Sequence, residues 1–149
     1  MPISKPTIKR AVIKAELREG FKVISRAGSH TIVQDLPKTA GGGDEGPSPT
    51  EVLLAALAGC IGVVARFHAP KFGIKLEGLE IEVTGEYDVR GFMGEAVKPG
   101  FTSIKAKVKV KAEGASRDVI SEFMKFVEAH CPISDTIVSG CRVEIEVST

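Results

Sequence analysis

The chain has 149 residues, enough for one domain with a buried core. Its 20 basic and 19 acidic residues nearly cancel, which leaves no electrostatic case for nucleic acid or an anionic membrane as partner. Three cysteines are too few for a disulfide scaffold, so they are core residues, metal ligands or redox thiols.

Met1 to Pro6 carries no apolar signal core, so the expected compartment is the cytoplasm. There is no Asn and a single Gln, Gln34, which hints at a thermophilic source. Three runs of alternating apolar and polar residues come first, Thr7–Leu17, Phe21–Arg26 and Thr31–Leu36. Arg18-Glu19-Gly20 and Ala27-Gly28-Ser29 separate them, which predicts two hairpins. The glycine-rich stretch from Pro37 to Pro49 reads as a loop feeding a long helix.

That helix has a clear start. Ser48 can cap it, Pro49 fits its first position, and Glu51 completes a capping box. Ala69-Pro70 ends it. Its longest apolar run, Val52 to Ala65, covers 14 residues and stops at Arg66. A bilayer span needs roughly 20, so this is expected to be a buried helix and not a membrane segment. Apolar residues all round it predict burial on every side. One sheet covers one side only, so an obligate homodimer with this helix near its centre is expected.

Leu79–Tyr87 and Phe101–Lys111 alternate strictly, glutamates on one and lysines on the other, and Arg142–Ser148 repeats the pattern. Facing rows of opposite charge would pair these strands and leave a solvated sheet face. Between the last two, Ser116 opens a helix running to His130, with Phe123, Phe126 and Val127 on one face. The order βββ-α-ββ-α-β predicts a single α+β domain over residues 1–149 with antiparallel sheet.

Cys60 lies within the long helix, and Leu53, Ala56, Leu57, Val63, Val64 and Phe67 surround it at helical spacing. A thiol in such company is either an inert core residue with a raised pKa, or a reactive one served by a cation from elsewhere. Arg18, Arg26 and Lys38 are the candidates for that cation. Cys131 reads as the end of a helix, where the macrodipole disfavours a thiolate. It is then a hydrophobic cap or a resolving thiol that captures a sulfenic acid on Cys60. Cys141 reads as a small packing residue at a strand start.

Metal binding fits badly, since there is no Cys-x-x-Cys and His30, His68 and His130 make no ligand spacing with the cysteines. A Cys–His hydrolase fits badly too: His68 stands about 12 Å along the helix axis from Cys60. No cofactor is indicated.

The segment GPSPTEVLLAALAGC, Gly46–Cys60, followed by HCPIS at His130–Ser134, resembles the OsmC/Ohr family of thiol peroxidases. The likeness spans nearly the whole chain. It implies an OsmC-like fold in which antiparallel sheets wrap the long central helices of an intertwined homodimer. It implies reduction of organic hydroperoxides, with Cys60 as peroxidatic thiolate, a Cys60–Cys131 disulfide, and a dithiol or lipoylated protein as reductant. Arg18 matches the hairpin arginine of the Ohr branch, whereas the loop arginine of the OsmC branch has no counterpart but Lys38. In the best-known members a catalytic Glu directly follows the motif's proline; here Thr50 holds that position and Glu51 comes next. Nine residues at 100° each put Glu51 on the side of the helix opposite Cys60, so it is a candidate for capping as well as for catalysis. The alternative is a non-catalytic module whose dimer cavity holds an apolar ligand, with Cys60 as lining.

Overall fold

The computed structural model describes residues 3–149. The chain forms two compact units, Met1–Val52 and Leu53–Thr149. Antiparallel sheet with helices, an α+β fold, is what the alternation of strand and helix signals predicts.

The first unit is a three-stranded antiparallel meander of β1 (Lys14–Leu17), β2 (Val23–Ala27) and β3 (His30–Gln34). Both turns use a glycine at positive φ, Gly20 (63°) and Gly28 (61°), where a side chain would be strained. The predicted first strand starts later than expected. Residues 7–13 keep the alternating pattern but form no strand in this chain.

A buried carboxylate organises the glycine-rich loop. Asp35 is 2% exposed and accepts N–H groups from Leu36 (2.7 Å), Glu45 (3.2 Å) and Gly43 (3.4 Å). These bonds replace lost water and favour the charged form, so the Leu36 N–H above all holds its pKa below the ordinary value. The loop then folds back so tightly that a Cβ on Gly42 would strike the Leu36 carbonyl, and one on Gly46 the Val33 carbonyl.

The loop leads into α1 (Pro49–His68), and the capping box forms as predicted. Ser48 N–H and Ser48 Oγ donate to Glu51 Oε1 at 3.0 and 2.9 Å, and Glu51 N–H donates back to Ser48 Oγ at 3.3 Å. A 3-10 turn, Ala69–Phe72, closes the helix, with Gly73 at φ 65°.

In the second unit α1 packs Leu57, Ile61 and Ala65 into a core shared with Ile74, Leu76, Phe123, Val127 and Cys131. These inward positions repeat every four residues, which keeps them on one face. Pro49–Phe72 is long and apolar enough to cross a membrane, yet this face is core, and Arg66 donates to the Leu76 and Glu77 carbonyls of the neighbouring strand. Full burial of the helix is not found in the single chain, because only this side has a covering. Val63 and Phe67 remain 70% and 74% exposed.

Strands β4 (Lys75–Tyr87) and β5 (Phe101–Glu113) pair antiparallel, joined through a one-turn helix α2 (Val89–Phe92). Glu80 stands opposite Lys109 and Glu82 opposite Lys107, the charge match that alternation predicts. Lys111 Nζ reaches Glu80 Oε1 diagonally at 2.7 Å. These pairs lie in solvent and contribute a few tenths of a kcal/mol each. Their inward partners, among them Ile81, Val83, Ile104 and Val108, pack on the core.

Helix α3 (Arg117–Ala129) follows, capped by Ser116, which accepts the Val119 N–H at 3.3 Å. Its Phe123 and Val127 are essentially unexposed, as their shared face predicts. Two expectations fail beyond this point. Pro132–Ser139 forms a further helix, α4, and Arg142–Ser148 forms no strand. Alternation fixes which face is apolar but supplies no neighbour, and a strand exists only with a partner for its N–H and C=O groups. Val143, Ile145 and Val147 accordingly stand 80–84% exposed.

Candidate active site

Three elements converge on the two thiols. Cys60 projects from the middle of α1, half-buried, and all three cysteines are free. Cys131 sits in the two-residue junction between α3 and α4, fully buried against Phe123 and Val127. The Cys131 side chain is a direct neighbour of Cys60, although 71 positions separate them in sequence.

The position of Cys131 differs from the sequence reading. His130 ends α3, its N–H bonding the Phe126 and Val127 carbonyls, and Cys131 is the N-cap of α4. Its sulfur accepts the Ser134 N–H at 3.5 Å, and Pro132 occupies the first helical position. The macrodipole therefore favours negative charge at Cys131, the reverse of what a helix C-terminus would do. Pro132 was the ambiguous signal. A proline stops the helix before it and equally well starts the helix after it. Asp135, in the first turn of α4, was the residue that could have told the two apart.

Burial raises the Cys60 pKa above that of a free thiol. The backbone N–H of Ile133, in the first turn of α4, pulls the other way. Cys131, as hydrogen-bond partner and as a rival for negative charge, pushes it up again. Among the described residues, no Lys or Arg is a cause of the raised Cys60 pKa.

The sequence-named cations all belong to the first unit. Arg18 lies in the β1–β2 turn, half exposed, and pairs with Glu16 at 3.0 Å. Arg26 faces Lys14 across the β1–β2 pair, and Lys38 opens a 3-10 turn. Glu51 is committed to Ser48 at the helix start. Cys141 is exposed, and the strand it was expected to begin does not form.

Neither His68 nor His130 serves a thiol. His130 stacks on Phe126 at 3.9 Å between centroids, and its Nδ1 bonds the Phe126 carbonyl at 2.8 Å. His68 lies edge-on to Phe67 and Phe126, each at 4.9 Å, with Nδ1 buried and unpartnered among the described residues. Burial, with Lys71 and His130 nearby, holds it below the usual histidine pKa.

Beside Cys131 lies a cavity of about 530 Å³, whose lining does not include Cys60. Leu57 and Ile61 of α1, Ile104 and Val108 of β5, and Met124 of α3 give it apolar walls, and Cys131 forms part of one side. Ser121, Lys125 and Glu128 are its polar members on α3. Its size and lining suit a small, mostly hydrocarbon ligand.

Residues 41–146 match the family model described as OsmC-like protein. Among solved structures, an OsmC-like protein from Mycoplasma pneumoniae is 27% identical, with a TM-score of 0.78 over 95% of this chain and 98% of that one. The organic hydroperoxide resistance protein OhrB of Bacillus subtilis is 22% identical, with a TM-score of 0.57 over 86% of this chain and 90% of that one. The organic hydroperoxide resistance protein OsmC of Legionella pneumophila, 17% identical, has a TM-score of 0.64 over 89% and 91%. No curated protein sequence matches. The matched segment takes in both thiols, the capping box and every element from α1 to α4, and with it the chain belongs to the OsmC-like family.

Proposed function

We propose that this protein is a thiol peroxidase that reduces organic hydroperoxides to alcohols. The observation that carries the reading is the meeting of two free thiols from distant elements, one of which, Cys131, lines an apolar cavity. The Cys60 thiolate attacks the distal peroxide oxygen, leaving a sulfenic acid and releasing the alkoxide, which leaves as alcohol. Cys131 then attacks the Cys60 sulfur, water departs, and a Cys60–Cys131 disulfide remains. A dithiol or a lipoylated protein returns both to thiols. Alkyl or lipid chains suit the hydrocarbon walls around Leu57, Ile61 and Ile104.

Desolvation of Cys60 requires a positive partner for efficient ionisation, and Arg18 is assigned that role, delivered by the β1–β2 hairpin. Glu51 acts through the helix start that it caps. The protein works as a cytoplasmic homodimer, with residues 1–149 as one functional domain. The open apolar face of α1 at Val63 and Phe67 supports a second copy there, as do the unpaired apolar positions of Arg142–Ser148.

Titrating the reduced protein with cumene hydroperoxide and mapping free thiols by mass spectrometry tests the reading. One equivalent should remove the Cys60 and Cys131 thiols together and spare Cys141. Persistence of both thiols would overturn it. The cavity itself favours one other reading, a non-catalytic module that holds an apolar ligand. In that case a Cys60→Ser protein binds the ligand as well as the parent, and peroxide is never consumed.

A further inference from the structure

Basic and aromatic side chains close the joint between the ends of α1 and α3. His68, the last residue of α1, lies edge-on to Phe126 of α3 at 4.9 Å. His130, at the end of α3, stacks on the same ring at 3.9 Å. From the 3-10 turn after α1, Phe72 meets Phe126 at 5.4 Å and the Lys71 ammonium stands 5.6 Å from its centre. His68 Nδ1 is buried in this joint with no hydrogen-bond partner among the described residues. The residue after His130 is Cys131, wholly buried at the junction with α4.

A neutral imidazole carries one proton, and a charged one carries a proton on each nitrogen. Charging His68 therefore makes Nδ1 a buried donor without an acceptor, whichever nitrogen held the first proton, and that leaves a full desolvation penalty. The surrounding charges add to it. On its own helix the nearest in sequence is Arg66, whose guanidinium is engaged with the Leu76 and Glu77 carbonyls. The 3-10 turn contributes Lys71 and α3 contributes His130, and both oppose a positive charge on His68. No carboxylate is among the groups that act on it. The Phe126 ring, which could receive a cation, already has Lys71 over it. Water offers the charged imidazole what the joint denies it.

We propose that His68 is an acid-sensitive latch on the end of α3. Neutral, it holds Phe126 and His130 in place and keeps Cys131 covered; protonated, it leaves the joint for water, and the last turn of α3 opens around Cys131. The latch stands without the peroxidase reading. Its control of the thiol pair rests on that reading, since a resolving thiol freed from its packing is no longer held for the Cys60 sulfenic acid. The sign follows from linkage. The folded site disfavours the charged ring, so the closed joint has its full advantage above the ordinary histidine value of about 6.5 and loses it as pH falls through the lower folded value. Between those two values each opening takes up one proton, so the open population grows about tenfold per pH unit.

Hydrogen–deuterium exchange of the reduced full-length chain reads the latch without any peroxide. Protection of the amides between Val127 and Ser134, corrected for intrinsic exchange, should fall about tenfold per pH unit within that window and level off below it. It should also stay below the protection of β4 and β5 at every pH. Equal protection throughout means that the segment opens only with the whole fold, which overturns the latch. Two variants isolate the group. His68→Phe keeps a ring in the joint and cannot charge, so its protection should not vary across the window. Lys71→Gln, at an exposed position, removes one opposing cation and should make the total loss smaller than in the parent. It keeps the test open if the phenyl ring disturbs folding. A pH dependence that survives His68→Phe, in a chain with parental circular dichroism, would overturn the proposal, as would a Lys71→Gln profile that coincides with the parent's. Peroxide consumption is a separate measurement. It can fail while exchange behaves as expected, which sinks the peroxidase reading and leaves the latch, or persist with exchange indifferent to His68, which sinks the latch alone. Where both hold, disulfide formation in acid should be slower in the parent than in His68→Phe, and equal rates would remove the control of the thiol pair.

Discussion

Replacing Glu51 by alanine separates capping from catalysis, because the two roles leave different traces. Glu51 Oε1 takes both the Ser48 N–H and the Ser48 hydroxyl, and its own N–H returns to Ser48 Oγ. Glu51→Ala deletes the first two bonds and keeps the third. A lost capping interaction of this kind costs about 1 kcal/mol, within a range of about 0.5–2 kcal/mol. For a domain of this size that is a fall in Tm of about 2–4 °C. Glu51→Gln retains an oxygen that can accept the Ser48 N–H and should recover most of the loss. The pH dependence has a definite sign. Hydrogen bonds from the Ser48 backbone and side chain lower the Glu51 pKa, so its contribution is present above the ordinary glutamate range. It fades as pH falls through the lowered folded value, so the gap between Glu51→Ala and the parent should narrow in acid. Thermal melts by circular dichroism, paired with initial rates on cumene hydroperoxide, read both properties. Capping predicts a lowered Tm with turnover near parental in both variants. A parental Tm with turnover abolished in Glu51→Gln and Glu51→Ala alike would refute the argument and place the carboxylate at the sulfur.

Two further predictions concern the rest of the chain. His68 has a depressed pKa, so stability is full above the ordinary histidine value of about 6.5 and declines as pH falls through the folded value. His68→Leu should flatten that decline in urea midpoints measured at successive pH values, and an unchanged slope counts against His68 as its source. Deleting Arg142–Thr149 removes the unpaired apolar row of Val143, Ile145 and Val147, each side chain worth about 1.5–3 kcal/mol when buried. Sedimentation should show a dimer for the whole chain and a monomer for the shortened one. A dimer that survives the deletion refutes that role for the segment.

The sequence determined by itself what depends on neighbours a few residues away. The α1 start at Ser48-Pro49-Thr50-Glu51, the glycine turns at Gly20 and Gly28, and the inward face of α3 all follow from short-range geometry. So does the matching of glutamate and lysine rows on the solvated face of β4 and β5, while the register itself, Glu80 opposite Lys109, is set by the pairing in the structure. Family membership was legible for the same reason, the motifs around Cys60 and Cys131 being contiguous strings.

Other features depended on partners that sequence distance hides. Arg142–Ser148 has the pattern of a strand yet forms none, because alternation supplies no partner for its backbone groups. Asp35 gave no sign of becoming the acceptor for three loop amides, since those donors lie up to ten residues away. The environment of Cys60 was sought in a cation, whereas the tertiary structure places a helix end there. One ambiguous proline concealed it: only packing decides that the chain turns at Cys131 and begins a new helix, whose Ser134 amide bonds the Cys131 sulfur.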